Sequence, residues 1–308
     1  MDKWTPRYCR RLKRAALTGI GALLLSGLCA AGTPGFKGGP MLDCSGLPCV
    51  DVTASDAHLK LLIDTGDARS LMDLAAATRL KLPLTPIVGA DGKPRPNRWS
   101  ATLKDLRIGD LSLGDINVMV LDLQPSLRKG AIPAADGFIT YPAFVGRALR
   151  MDYKKRRVEA SDASRQDLPC PRDCGTLTTP TFGHEGPPIV ASTGFTVNGR
   201  PLIVQIDTLY AGSMLIYPTS VDTLGLREQE KSGKTRFFPY TDGGVNMIEG
   251  ESQTLSFGRA ELKRHTTLYF ATADVHLPDA LFDGTVGNEL FLGHVLTFDF
   301  RTNRFWIG

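Results

Sequence analysis

Histidine is scarce and poorly placed for metal chemistry. The 308 residues hold five: His58, His184, His265, His276 and His294. No two stand at i, i+4 and no His-Glu-x-x-His occurs, which excludes the helical zinc-hydrolase pattern. No Gly-x-Ser-x-Gly turn exposes a serine nucleophile, and Ala211-Gly212-Ser213 lacks the second glycine. No Gly-x4-Gly-Lys-Ser/Thr loop is present to cradle phosphate. Low-complexity tracts are also missing. At 42% hydrophobic and 22% charged residues the chain is ordinary for a globular protein. Its length allows one large domain or two modest ones.

A persistent positive field is lacking too, although the whole chain has net charge +4 and pI 8.7. Residues 1–14 carry Lys3, Arg7, Arg10, Arg11, Lys13 and Arg14 against the single acid Asp2. An uncharged run from Ala15 to Ala31 follows. A basic start, an apolar stretch and small residues at its end describe an export signal, with cleavage near Ala31. The alternative is an uncleaved membrane tether, for which 17 residues is at the short limit. Residues 1–31 hold six basic side chains and one acid. The remainder has 30 basic and 31 acidic residues, a net of about −1. The mature chain therefore lacks the electrostatic footprint of a nucleic-acid binder. The run Lys154-Lys155-Arg156-Arg157 reads as a solvated hairpin turn.

Cysteine is sparse. Four of the six lie beyond residue 31, as Cys44 and Cys49 and as Cys170 and Cys174. In an oxidising compartment they read as disulfides, and the local pairs Cys44–Cys49 and Cys170–Cys174 are favoured among three connectivities. The Cys-x2-Cys spacing of zinc ribbons is absent, so a zinc site is the weaker alternative.

What the sequence does contain is a repeat. His58-Leu59-Lys60-Leu61-Leu62-Ile63 runs into Asp64-Thr65-Gly66, and Pro201-Leu202-Ile203-Val204-Gln205-Ile206 runs into Asp207-Thr208-Leu209. Ser70 and Ser213 follow, then a short helical pattern ending Leu80-Lys81-Leu82 and Leu224-Gly225-Leu226. Leu106-Arg107-Ile108-Gly109 matches Leu255-Ser256-Phe257-Gly258, Asp136-Gly137 matches Asp283-Gly284, and Asp152-Tyr153 matches Asp299-Phe300. Several correspondences in one order at nearly constant offset indicate a duplicated β-rich lobe. Short apolar runs broken by Gly, Pro, Asn and Asp predict strands, and Asn198-Gly199 predicts a hairpin turn. Two strands ending in Asp, in two related lobes, can bring a pair of carboxylates together across a pseudo-two-fold axis.

The chain resembles the aspartic proteases of the pepsin and retropepsin type, most of all their two-lobed, exported bacterial members. Leu61-Leu62-Ile63-Asp64-Thr65-Gly66 matches the first active-site motif and Ile203-Val204-Gln205-Ile206-Asp207-Thr208 the second. Thr285-Val286-Gly287 fits the apolar segment that crosses behind the active loop; Phe138-Ile139-Thr140 is its first-lobe counterpart, with Thr140 in place of Gly. The resemblance implies a mostly β, bilobal pepsin-like acid protease fold of two β-barrel-like lobes with few short helices. It implies an aspartic endopeptidase in which Asp64 and Asp207 share one proton and activate a water. Thr65, Gly66 and Thr208 would support the active loops. No metal or cofactor is needed.

Three positions depart from the family pattern. Leu209 stands where the second motif has Gly, and Asp67 and Tyr210 stand where small or hydroxyl residues are usual. They motivate an alternative, a pseudoprotease that binds peptides without cutting them. A flap is expected between Gly89 and Trp99, with Trp99 either facing substrate or packing in the core, and Phe237–Tyr240 holds the equivalent place in the second lobe.

The expected organisation is a signal peptide at 1–31, an arm at 32–49, a first lobe at 50–161, a linker at 162–180 and a second lobe at 181–308. The expected protein is exported, periplasmic or secreted, and monomeric, with a polypeptide as its substrate.

Overall fold

Two Asp-Thr strands recur because the strands around them recur. In the computed structural model, residues 35–124, 134–161, 168, 173–180, 188–240, 243–272 and 282–308 are described. The proposed signal segment and Cys170 lie outside the described residues. Pro34–Gly308 pack as one unit. The first half contributes β1 (Phe36–Pro40), β2 (Leu42–Cys44), β3 (Leu47–Ala54), β4 (Ala57–Asp64), β5 (Leu71–Asp73), β6 (Thr85–Val88), β7 (Pro94–Ile108), β8 (Leu111–Leu121), β9 (Gly137–Thr140), β10 (Ala148–Asp152) and β11 (Arg157–Ser161). The second half contributes β12 (Gly175–Thr178), β13 (Ala191–Val197), β14 (Arg200–Asp207), β15 (Met214–Ile216), β16 (Lys234–Tyr240), β17 (Gly243–Phe257), β18 (Ala260–Ala271), β19 (Gly284–Gly287), β20 (Val295–Asp299) and β21 (Arg304–Ile307).

The two lobes have one topology. The first is ordered β2-β3-β4-β9-β5-β8-β7-β6 and the second β12-β13-β14-β19-β15-β18-β17-β16. Extra pairings β3–β7 and β13–β17 close each sheet on itself. Both lobes set the Asp-Thr strand parallel to a later strand, β4 to β9 and β14 to β19. The mostly β, two-lobed architecture is thus the one expected.

A six-stranded sheet joins the lobes, in the order β1-β11-β10-β20-β21-β12, with three strands from each half. At its centre β10 runs antiparallel to β20, pairing Ala148 with Asp299, Arg150 with Thr297 and Asp152 with Val295. The repeat offset here is 147 residues, which makes Ala148 the counterpart of Val295 and Asp152 that of Asp299. The register is therefore symmetric about the Arg150–Thr297 pair, where a pseudo-dyad crosses the sheet.

Local chemistry explains the turns. Asn198 and Gly199 have φ of 50° and 78° and link β13 to β14, as a two-residue hairpin demands. The Lys154–Arg157 run turns β10 into β11. The helical pattern after the first active loop forms α1 (Leu74–Arg79). Its second-lobe copy is only a 3-10 turn at Pro218–Ser220 followed by turns, because Pro218 starts it and Gly225 takes a φ of 65° at its end. Two further helices are short, α2 (Arg227–Ser232) and α3 (Asn288–Phe291). Among the described residues no helix is long and apolar enough to cross a membrane.

The core follows the strand pattern. Leu59, Leu61 and Ile63 of β4 are buried, as are Leu202, Val204 and Ile206 of β14. Phe257 and Phe305 pack edge-on at a 5.3 Å centroid distance, with Phe195 against both. Burying such rings contributes roughly 1.5–3 kcal/mol each relative to exposure. Cys44 and Cys49 form the expected disulfide across the β2–β3 hairpin. Cys174 is also disulfide-bonded.

Candidate active site

Both Asp-Thr motifs occupy the ends of central strands. Asp64 closes β4 beside Thr140 of β9, and Asp207 closes β14 beside Gly287 of β19. Each aspartate sits where its strand gives way to a loop, so its carboxylate accepts amide protons from the loop's first turn. Asp64 Oδ1 accepts from the Gly66 N–H at 2.7 Å. Asp207 Oδ1 accepts from the Leu209 N–H at 2.8 Å and the Tyr210 N–H at 3.0 Å.

The loops are locked together by their threonines. Thr65 N–H donates to Thr208 Oγ1 at 3.1 Å, and Thr208 N–H donates to Thr65 Oγ1 at 3.2 Å. Each hydroxyl then donates across the axis, Thr65 to Ile206 O at 2.7 Å and Thr208 to Ile63 O at 2.6 Å. Both threonines are fully buried, so every one of these groups is satisfied inside the protein. The pattern is reciprocal, as the pseudo-dyad requires.

Gly66 brings the first loop against the second aspartate. A Cβ placed there would lie 2.4 Å from Asp207 Cγ, a distance that real side chains do not reach. Only glycine fits at this approach. The fold therefore sets Asp207 directly beside the Asp64 loop.

The environment raises both carboxyls. Burial is the largest cause holding Asp64 well above the usual carboxylate range, and the negative charge of Asp207 is the next. Burial also pushes Asp207 up, against the pull of the Leu209 and Tyr210 amides. Asp67 adds a smaller upward push on both. The Asp67 carboxylate takes the Arg69 N–H at 3.0 Å and lies 3.5 Å from Arg69 Nε, so its charge is only partly offset by an exposed partner. The Asp207 charge thus disfavours ionisation of Asp64, as expected of two acids that interact in a buried site.

A pocket of about 440 Å³ lies in the first lobe, lined by Ala68, Arg69 and Ser70, by Ile87 and Ser100, and by residues 115–119 of β8; neither Asp64 nor Asp207 lines it. Ile87 and Ser100 belong to the β6–β7 hairpin, whose tip includes the Gly89–Gly92 turn. Trp99 is on this hairpin, paired with Pro86 and Val120, and its half-buried side chain packs against the core. The second lobe carries a matching hairpin, β16–β17, with Phe237 exposed on it. Among the described residues no cluster of three or more His, Cys, Asp or Glu could hold a metal.

Sequence reasoning missed Gln205. Buried on β14, it donates from Nε2 to the Gly66 carbonyl at 2.8 Å and accepts at Oε1 from Thr285 Oγ1 at 3.1 Å. Its polarity, in an otherwise apolar strand, was the available signal.

An aspartyl protease family model matches residues 50–136, which include Asp64, Thr65 and Gly66. A search of curated proteins returns no significant match. Among solved structures, soybean basic 7S globulin is similar at 9% identity over 86% of this chain and 91% of that one, with a TM-score of 0.44. The family match covers the first Asp-Thr-Gly loop and most of the first lobe, and that part of the chain is similar to aspartyl proteases; the second lobe repeats its topology and presents a second Asp-Thr beside it.

Proposed function

We propose that the protein is an aspartic endopeptidase with Asp64 and Asp207 as its catalytic pair. The observation that carries this reading is the approach of Asp207 to the Gly66 loop, under reciprocal threonine bonds that hold both carboxylates in place. The pair holds one proton. The ionised member takes a proton from a water as that water attacks the peptide carbonyl, while the protonated member hydrogen-bonds the carbonyl oxygen. A tetrahedral diol forms. A proton passes to the amide nitrogen, the C–N bond breaks, and a carboxylic acid and an amine leave. Neither a metal nor a covalent intermediate takes part. The β6–β7 hairpin suits the flap that excludes water from a bound polypeptide.

The Cys44–Cys49 disulfide and the basic, then apolar, first 31 residues support an exported protein in an oxidising compartment. Leu209 favours the second reading, a peptide-binding pseudoprotease, because it fills the motif's glycine position.

Incubation with a mixed peptide library between about pH 3 and pH 7 separates the two readings. The endopeptidase reading expects cleavage that a transition-state-analogue inhibitor of aspartic proteases blocks. Binding of that inhibitor without cleavage at any pH would favour the pseudoprotease. Neither binding nor cleavage would remove both.

A further inference from the structure

The two active loops are equivalent by the repeat, yet the opposite lobe holds them by opposite chemistry. Gly66 and Leu209 are counterparts, each the second residue after its aspartate. Leu62 and Gln205 are counterparts, each the second residue before it. Phe138 and Thr285 are counterparts as well, since β4–β9 pairs Leu62 with Phe138 and β14–β19 pairs Gln205 with Thr285.

On one side of the pseudo-dyad this trio is polar. Gln205 donates to the Gly66 carbonyl, Thr285 donates to Gln205, and Tyr217 OH lies 3.0 Å from Thr285 Oγ1. On the other side it is apolar. Leu62 and Phe138 join Cys44, Cys49 and Leu123 in a buried first-lobe cluster, and the Leu209 side chain packs against that cluster. Leu209 is its one member from the second lobe among the described residues. The first lobe therefore grips the second loop through an isobutyl group where the second lobe grips the first loop through an amide.

We infer that Leu209 is a positioning residue: its side chain, seated in the Leu62–Phe138–disulfide cluster of the first lobe, fixes the second active loop so that its amides meet Asp207. A Leu at 205 would leave the Gly66 carbonyl without the amide donor it has here. A backbone link reinforces the same loop. Tyr210 O accepts from Asn288 N–H at 2.7 Å, and Asn288 Nδ2 donates to the carbonyl of Gly46 at the tip of the Cys44–Cys49 hairpin. The disulfide hairpin is thus linked to the second loop in two ways, through the cluster that the Leu209 side chain packs against and, by way of Asn288, to the Tyr210 carbonyl.

The inference rests on the endopeptidase reading for its kinetic consequence but not for its structural one. The test compares wild type with Leu209→Gly, Leu209→Met and Phe138→Leu by peptide cleavage and by amide hydrogen exchange of Tyr210. Leu209→Gly is expected to lower kcat by about 10–100-fold with KM nearly unchanged, the effect of a misplaced group. Tyr210 exchange should rise about tenfold or more in Leu209→Gly and in the same direction in Phe138→Leu. Leu209→Met, which refills the pocket, should restore both readouts. A Leu209→Gly enzyme as fast as wild type or faster would overturn the inference, and so would Tyr210 exchange that stays at the wild-type rate. If wild type cleaves nothing, the endopeptidase reading fails, while Tyr210 exchange still decides the role of Leu209. If Leu209→Gly does not fold, Phe138→Leu, which leaves the loop sequence intact, gives the deciding exchange rate.

Discussion

Asp67 shows how one side chain can set the working range of a carboxyl pair. Its negative charge raises both Asp64 and Asp207, and its exposed partner Arg69 offsets that charge only in part. On the proposed mechanism the pair works with one proton, and the alkaline limb of activity marks the loss of that proton. Replacing Asp67 by Ser should move this limb of the kcat/KM profile to lower pH, and a profile that stays in place would remove Asp67 from the site's electrostatics. Thr208 makes a second residue-scale prediction. Its hydroxyl donates to Ile63 O and accepts from Thr65 N–H in a buried setting. Thr208→Val strands both, at a cost of roughly 1–3 kcal/mol for each buried group left unpaired, measurable by urea denaturation. The threonines and Gly66 were legible in the sequence because the repeat and the family resemblance named them. Thr140 in place of Gly was legible as a departure but not as a fit. Leu71 pairs with Phe138 whereas Leu215 pairs with Thr285, so the first loop enters its strand one residue sooner, and Ser70 Oγ accepts the Thr140 N–H where the Ser213 carbonyl accepts that of Gly287.

At the scale of elements, the glycines of the two Asp-Gly pairs are steric requirements of the fold. Gly137 begins β9 and Gly284 begins β19, each wedged against a neighbouring strand. A Cβ on Gly137 would lie 2.2 Å from Leu71 O, and one on Gly284 would lie 2.0 Å from Leu215 O. Either Gly→Ala change should cost about 1–3 kcal/mol through forced backbone shifts, with the same sign in both lobes. A neutral result at one site would break the claimed equivalence. Hairpins were also legible, since Pro86 pairs with Trp99 and Thr235 with Ile248 at the same separation of 13 residues. The weight of Trp99 was not, because strand alternation does not say which face of a protruding hairpin meets the core. It packs against the core, so Trp99→Ala should lower stability more than it raises KM. A raised KM at unchanged stability would instead make Trp99 a substrate contact.

For the molecule as a whole, duplication could be read from ordered offsets, whereas the central six-stranded sheet could not. No sequence pattern says that β10 meets β20 rather than a strand of its own lobe, or that β1, from the predicted arm, joins this sheet. Asp299, whose side chain is fully buried at the end of β20, organises the turn from β20 to β21. Burial raises its carboxyl, but hydrogen bonds from Arg301 and Thr302 outweigh that and hold it below the ordinary range. A depressed folded value gives stability that is present above the unfolded carboxylate range and is lost as pH falls through the folded value. The Asp64–Asp207 pair acts in the opposite sense. Its raised folded values weaken the fold as pH rises from the unfolded range through the folded one. Asp207→Asn should therefore melt at or above the wild-type temperature at neutral pH, measured by calorimetry. Lower melting there would mean that the charge is stabilised by contacts this structure does not contain.

That variant also supplies the most direct test of the central claim, that Asp64 and Asp207 together hydrolyse peptide bonds. The measurement is kcat/KM on a cleaved library peptide, across pH, for wild type, Asp64→Asn and Asp207→Asn. The account predicts a bell-shaped wild-type profile and a loss of about 10²–10⁴-fold in either variant, with both folded. A variant that retains the wild-type rate, or a wild type that cleaves nothing, would contradict it.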